Sequence, residues 1–114
     1  MLVKRFHEAQ PYNALNHSDC KALRLQGFEA GGPESCWVGL SHVLPGGGAG
    51  PDQSPLEKIY VVLAGTITVW ADGQEVELEA MDSCTIGPNI ERQIMNRKNT
   101  IASMLVVMPY PETK

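Results

Sequence analysis

The stretch that decides the fold is residues 45–69, which read PGGGAGPDQSPLEKIYVVLAGTITV. The glycines and prolines at its start predict a loop. The runs KIYVVLA and TITV that follow are rich in β-branched residues and predict two strands separated by Gly65. The glycines lack the Lys-Ser/Thr ending of a phosphate-binding loop and precede a strand instead of a helix. We therefore interpret them as a connecting loop.

A β-hairpin is predicted directly after this stretch. Asp72 and Gly73 separate TITVWA from EVELEA, and this dipeptide suits a type I′ turn because both of its positions accept a positive φ. The alternation in EVELEA predicts a half-buried strand. Val76 and Leu78 should share its inner face, with the carboxylates in water.

Similar short runs continue in both directions along the chain. Clusters of Gly, Pro, Asn and Asp separate them, and a capped helix is not indicated, apart from one turn over about residues 7–12. Many short strands with tight turns indicate an all-β sandwich or a closed barrel. No repeat or linker divides the chain, so we predict a single domain over residues 1–114. Its N-terminal arm covers about residues 1–20 and its barrel about residues 21–110.

Size and composition limit the classes of function. The chain has 114 residues, 43% hydrophobic and 19% charged, which is typical of one globular domain. Its net charge is −4 and its basic residues are scattered, so no nucleic-acid partner is expected. With no signal-peptide core and no run long enough to span a bilayer, we expect a cytoplasmic protein without a membrane partner. The three cysteines predict no disulfide framework.

The spacing of residues 46–96 resembles the two sequence motifs of the cupins, a family of small β-barrels. The first cupin motif runs Gly, five residues, His-x-His, three or four residues, Glu, six residues, Gly, and here Gly46 begins it and Gly65 ends it. The second ends in His, three residues and Asn, and MDSCTIGPNIERQIMN follows its spacing from Met81 to Asn96. The resemblance covers roughly residues 37–108. It implies a single-domain cupin barrel, also called a double-stranded β-helix or jelly roll.

The resemblance also implies that the usual metal ligands are replaced. In metal-binding cupins, the two His, the Glu and the later His hold a divalent ion. Carried over one position at a time, they fall on Asp52, Ser54, Lys58 and Arg92. Lys58 and Arg92 place positive charge where a cation would sit, and Arg does not deprotonate to become a ligand. We therefore expect no metal and no other cofactor.

Strand alternation predicts which side chains point into the barrel. Lys58 is expected to point inward in preference to its neighbour Glu57, because a shift of one residue would turn Tyr60 and Val62 outward. By the same alternation His42 faces away from the cavity and is assigned to packing or a subunit interface, and His17 is expected to be solvated. The predicted ligand-binding residues are Ser41, Asp52, Ser54, Lys58, Arg92, Met104 and Met108, of which Lys58 and Arg92, together with Tyr60, are the predicted catalytic groups.

Three functions are compatible with this cavity. The first is a metal-independent enzyme for a small carboxylate, of isomerase, lyase or decarboxylase type, in which Arg92 binds the carboxylate and Lys58 moves a proton or stabilises an enolate. The second is a ligand-binding or sensing module with the same cavity. The third is a structural protein in which Lys58 and Arg92 pair with Asp52 or Glu57. In each case the resemblance implies a homodimer, formed through outer sheet faces and N-terminal strands.

Overall fold

The computed structural model describes residues 1–111. Two short 3-10 helices cover Phe6–Glu8 and Phe28–Ala30, the first of them near the helical turn expected from the sequence. The described residues otherwise form strands and their connections. The strands are β1 (Gln10–Pro11), β2 (His17–Gln26), β3 (Cys36–Asp52), β4 (Lys58–Ala64), β5 (Ile67–Ala71), β6 (Gln74–Leu78), β7 (Ser83–Ile86), β8 (Arg92–Met95) and β9 (Ala102–Pro109).

The strands form one antiparallel sheet that curves into a nearly closed barrel, as predicted. Its order is β6-β5-β8-β3-β9-β4-β7, with β2 paired to β3 and β1 paired to β2. Strand β3 connects two parts of the sheet, because its first half pairs with β9 and its second half pairs with β8. Strand β2 begins at His17, within the last residues of the segment predicted as the N-terminal arm.

The glycine run is part of strand β3, and the expectation of a loop there was wrong. A Cβ atom on Gly48 would collide with the carbonyl oxygen of Ile94 in β8, and one on Gly47 with the carbonyl oxygen of Asp19 in β2. Glycine is therefore required because the backbones of β2, β3 and β8 approach closely here, and not only because of a turn.

The predicted hairpin is confirmed. Asp72 and Gly73 have φ of 52° and 73° and connect β5 to β6, with Ala71 opposite Gln74. Leu78 is buried as expected, but Val76 is 47% exposed. Val76 shares the face of Leu78, as strand alternation predicts, but it stays exposed because β6 is the last strand of the sheet order, where alternation alone does not provide a covering surface.

The core lies between the inner faces of the strands and is made mainly of aliphatic side chains, with Val43, Val62, Ile67 and Ala102 fully buried. Asn96, the last residue of the second motif, is 1% exposed. Its Nδ2 donates to the carbonyls of Val43 (3.0 Å) and Thr100 (2.8 Å), so it joins the loop after β8 to β3. Within residues 1–111, the chain has no helix of the length and hydropathy needed to cross a membrane.

Candidate functional site

A cavity of 360 Å³ lies inside the barrel, within the range of about 300–1,000 Å³ that is common for small-molecule sites. Its walls come from β3, β4, β8 and β9, and its remaining side from the segment that precedes β2, from β2 itself and from Phe28. The structure brings every residue of the predicted site to this one cavity: Ser41, Asp52, Ser54, Lys58, Tyr60, Arg92, Met104 and Met108.

Arg92, the first residue of β8, is the central polar group of the cavity. It is 8% exposed, and its Nε donates a hydrogen bond to the hydroxyl oxygen of Tyr60 at 2.7 Å. Its Nη1 is buried and has no hydrogen-bond partner among residues 1–111. A guanidinium stays charged at all relevant pH values, so this unpaired donor carries an uncompensated cost of desolvation.

Lys58, the first residue of β4, points inward and is 4% exposed, whereas its neighbour Glu57 is exposed. This confirms the predicted strand register. Burial lowers the pKa of Lys58, the nearby Arg92 lowers it further, and Asp52 opposes both effects. The amine is therefore easier to deprotonate than a surface lysine.

In a purely structural protein, Lys58 and Arg92 were expected to form ion pairs with Asp52 or Glu57, and the described residues do not form them. The salt bridges of the described chain join Arg24 to Glu29, Arg97 to Glu75, and Lys98 to Glu77. Within that part of the chain, Lys58 and Arg92 therefore have no carboxylate oxygen within 4.0 Å. Asp52 is exposed, and its Oδ1 accepts from the backbone N–H of Gln53 at 2.8 Å. The pairing of β3 with β8 has a register shift between Ala49 and Asp52, so Asp52 follows an irregularity in the strand.

Tyr60 contributes its hydroxyl to Arg92 and is 3% exposed. Burial raises the pKa of this phenol, and Arg92 only partly opposes the rise. Tyr60 is therefore protonated at neutral pH, with its oxygen accepting from Arg92 and its own proton available for donation.

The donor set does not fit a divalent metal. Among residues 1–111, no cluster of three or more His, Cys, Asp or Glu side chains is arranged to hold an ion. The four positions that carry ligands in metal-binding cupins here supply one exposed carboxylate, one hydroxyl and two cations. Positive charge on Lys58 and Arg92 would repel a cation at this place.

We therefore predict that the purified protein retains no stoichiometric transition metal after dialysis. Elemental analysis measures this directly, with the Asp52→Asn variant as the matched control. One equivalent of iron, nickel, zinc or manganese in the wild type, lost in that variant, would contradict the prediction.

The sequence analysis missed His17 and the aromatic side of the cavity. His17 was expected to be solvated, but it is half-buried and lines the cavity, because β2 lays its first residue opposite Ala49. Strand β2 has two irregularities in its pairing with β3, one between Ser18 and Cys20 and one between Arg24 and Gln26. They interrupt the alternation from which the direction of the His17 side chain could have been predicted. The residue also lies outside the stretch that resembles the cupin motifs.

Arg24 occupies an aromatic cluster on the same side of the cavity. Its guanidinium carbon lies 3.8, 4.4 and 4.6 Å from the ring centroids of Tyr12, Phe28 and Trp37. Its Nε also contacts Glu29 at 3.3 Å. These cation–π contacts give the cavity a fixed aromatic wall, which strand alternation did not predict.

Comparison with known proteins agrees with this architecture. Residues 39–108, more than half of the chain, match the family described as Cupin domain. The chain belongs to the cupin-domain family. This cupin is also 40% identical over 111 residues to a protein of Mycobacterium tuberculosis named beta-D-galactosidase, an alignment that covers 97% of this chain and 96% of that one.

Solved structures show the same barrel at lower identity. The structure of a predicted oxalate decarboxylase from Thermotoga maritima is 23% identical, with a TM-score of 0.80, over 97% of this cupin and 100% of that chain. The polyketide cyclase RemF from Streptomyces resistomycificus is 16% identical, with a TM-score of 0.84, over 96% of this cupin and 79% of that chain. At these identities the likeness shows the fold alone.

Proposed function

We propose that this cupin binds a small carboxylate in its barrel cavity and transforms it without a metal, by proton-transfer chemistry of isomerase, lyase or decarboxylase type. The observation that carries the proposal is the buried Nη1 of Arg92, a charged donor without a partner among the described residues. A carboxylate supplies the missing acceptor and the opposite charge together.

The rest of the cavity suits the same ligand. Lys58 offers a second buried cation beside Arg92, and Ser41 and Ser54 add hydroxyl groups to the lining. Met104 and Met108 line the cavity with apolar surface. In such surroundings a charge-assisted hydrogen bond is stronger than in water, so a bound carboxylate would offset the desolvation cost of the two cations.

A thermal-shift panel tests the proposal. Small aromatic or unsaturated carboxylates are expected to raise the melting temperature, because a ligand that binds only the folded state stabilises it by mass action. The uncharged amides of the same acids serve as matched controls and should produce no shift. A broad carboxylate panel without any shift, or equal shifts with the amides, would contradict the proposal.

A second candidate function is hydrolysis of β-galactosides, favoured by the name of the 40% identical relative. Most glycosidases use two carboxyl groups on either side of the bond they cleave. Among the described residues that line the cavity, Asp52 is the sole carboxylate, so we rank this candidate second. Hydrolysis of p-nitrophenyl β-D-galactopyranoside by the wild type, lost in Asp52→Asn, would establish it over the carboxylate proposal.

The outer face of the sheet supports the proposed homodimer. Ile59, Val61, Leu105 and Val107 form an apolar strip on β4 and β9, with Ile59 opposite Val107 and Val61 opposite Leu105. Ile59 is 39% exposed. A second copy of the chain would bury this strip in a two-fold contact of the same surface with itself.

We predict a dimer at micromolar concentration by light scattering. Ile59→Lys should convert it to a monomer, because a charge would then be buried at the two-fold contact. Val76→Lys, on an exposed residue of a different strand, is the matched control and should leave the dimer intact. A monomeric wild type would contradict the prediction.

A further inference from the structure

We infer that His17 is the proton-accepting group of the cavity and acts through Nε2 on a carboxylate ligand that carries an enolisable carbon. The inference rests on the proposed function, because Arg92 and Lys58 are the groups that hold such a ligand. It adds a catalytic residue and narrows the substrate to acids with a C–H bond next to a carbonyl group.

The first argument is the tautomer of the ring. Nδ1 of His17 lies 2.6 Å from the carbonyl oxygen of Leu15. A carbonyl oxygen only accepts hydrogen bonds, so in the neutral ring the proton resides on Nδ1 and the lone pair on Nε2. Leu15 and His17 both line the cavity, so this local contact holds the imidazole ring at the cavity wall.

The second argument is the charge state of the ring. Burial lowers the pKa of His17, and Arg92 lowers it further, while the hydrogen bond to Leu15 and the carboxylate of Asp52 oppose these effects. The net result is a pKa below the usual value of 6.5. His17 is therefore neutral at pH 7 and able to accept a proton.

The other titratable groups at the site are less suited to this role. Lys58 is needed as a cation beside the carboxylate, and Tyr60 keeps its proton because burial raises the pKa of its hydroxyl. Asp52 is exposed, and its Oδ1 already accepts a hydrogen bond from the backbone N–H of Gln53. His17 combines a free lone pair at neutral pH with a place in the cavity lining, and both are needed for general base catalysis.

The proposed step is balanced without a co-reactant. The C–H bond next to the carbonyl group breaks, its proton goes to Nε2 of His17, and its electron pair forms the C=C bond of an enolate. The negative charge that develops on oxygen is stabilised by Arg92 and Lys58. Return of the proton to the enolate oxygen or to another position gives an isomer and regenerates neutral His17.

Phenylpyruvate, an aromatic 2-oxo acid with enolisable C3 protons, is the probe. In deuterated buffer the wild type is expected to accelerate deuterium incorporation at C3, measured by proton NMR. His17→Gln should lower the enzymatic rate by about 10²- to 10⁴-fold while phenylpyruvate still raises its melting temperature. The control His7→Gln, on an exposed histidine, should behave as the wild type.

Three other outcomes would overturn the role of His17, the proposed function or both. A melting shift with phenylpyruvate but exchange at the buffer rate overturns the role of His17 and leaves the anion site intact. Absence of both shift and exchange overturns the proposed function as well. Loss of both in a folded His17→Gln variant makes His17 a binding residue and overturns its role as base.

A measurement on the wild type keeps the inference testable if His17→Gln does not fold. Long-range ¹H–¹⁵N spectra of the labelled protein at pH 7 report which ring nitrogen carries the proton. We expect a proton on Nδ1 and none on Nε2 of His17. A charged ring, or a proton on Nε2, would overturn the inference without reference to any substrate.

Discussion

Arg92→Met is expected to abolish the melting shift produced by carboxylates. Truncating one partner of a buried, hydrogen-bonded charge pair costs about 2–5 kcal/mol, which corresponds to a loss of about 30- to 5,000-fold in affinity. Nη1 of Arg92 is buried without a hydrogen-bond partner among residues 1–111, so this side chain should dominate recognition of the anion. Calorimetric titration with the best acid of the panel measures the loss. Arg97→Met, which alters an exposed arginine paired with Glu75, is the matched control and should change nothing.

The stability of Arg92→Met also distinguishes a ligand site from a pocket that is closed by ion pairs. Arg92 has no carboxylate partner within the described chain, so its removal should not orphan a buried charge. The change does leave the hydroxyl of Tyr60 without its donor, an effect that Tyr60→Phe in the same chain removes. We expect the double variant to be at least as stable as the wild type in urea. If Arg92→Met is strongly destabilised and Asp52→Asn restores stability, the pocket is structural.

Lys58→Met is expected to weaken carboxylate binding by about 10- to 150-fold, from the loss of about 1.5–3 kcal/mol for a hydrogen bond to a charged group. It should also change the pH dependence of binding. The pKa of Lys58 in the free folded protein lies below 10.5, so wild-type affinity should fall as pH rises through that lowered value. The variant should lack this fall. Titrations at a series of alkaline pH values, compared with Lys98→Met on an exposed lysine, measure both effects.

The stability of the free protein should show the opposite trend with pH. Between the lowered pKa of Lys58 and 10.5, the unfolded chain binds a proton that the folded chain does not, so the free energy of unfolding rises with pH in this window. Below the window the buried ammonium is a constant cost, which Lys58→Met removes. The variant should therefore be more stable than the wild type at neutral pH, with the difference shrinking toward pH 10.5. A wild type more stable than the variant at neutral pH would mean that Lys58 has a compensating partner.

Local sequence patterns predicted the features that depend on neighbouring residues along the chain. The Asp72–Gly73 turn followed from the φ preferences of two residues, and the inward positions of Lys58, Tyr60 and Met104 followed from the two-residue period of a strand. These properties are set by backbone sterics within a few residues, so the sequence alone determined them.

Only the tertiary structure decided which side chains meet across strands. The hydrogen bond from Arg92 to Tyr60, and the distance of Asp52 from both cations, depend on register shifts and on the curvature of the sheet. The position of His17 in the cavity depends on bulges in β2, and the exposure of Val76 on the place of β6 at the end of the sheet. Alternation tells which face a side chain lies on, but the separation of two side chains on different strands is a property of the whole barrel. For this reason the sequence determined the inner face of the cavity, and the fold determined the separation of its charged groups and the position of His17.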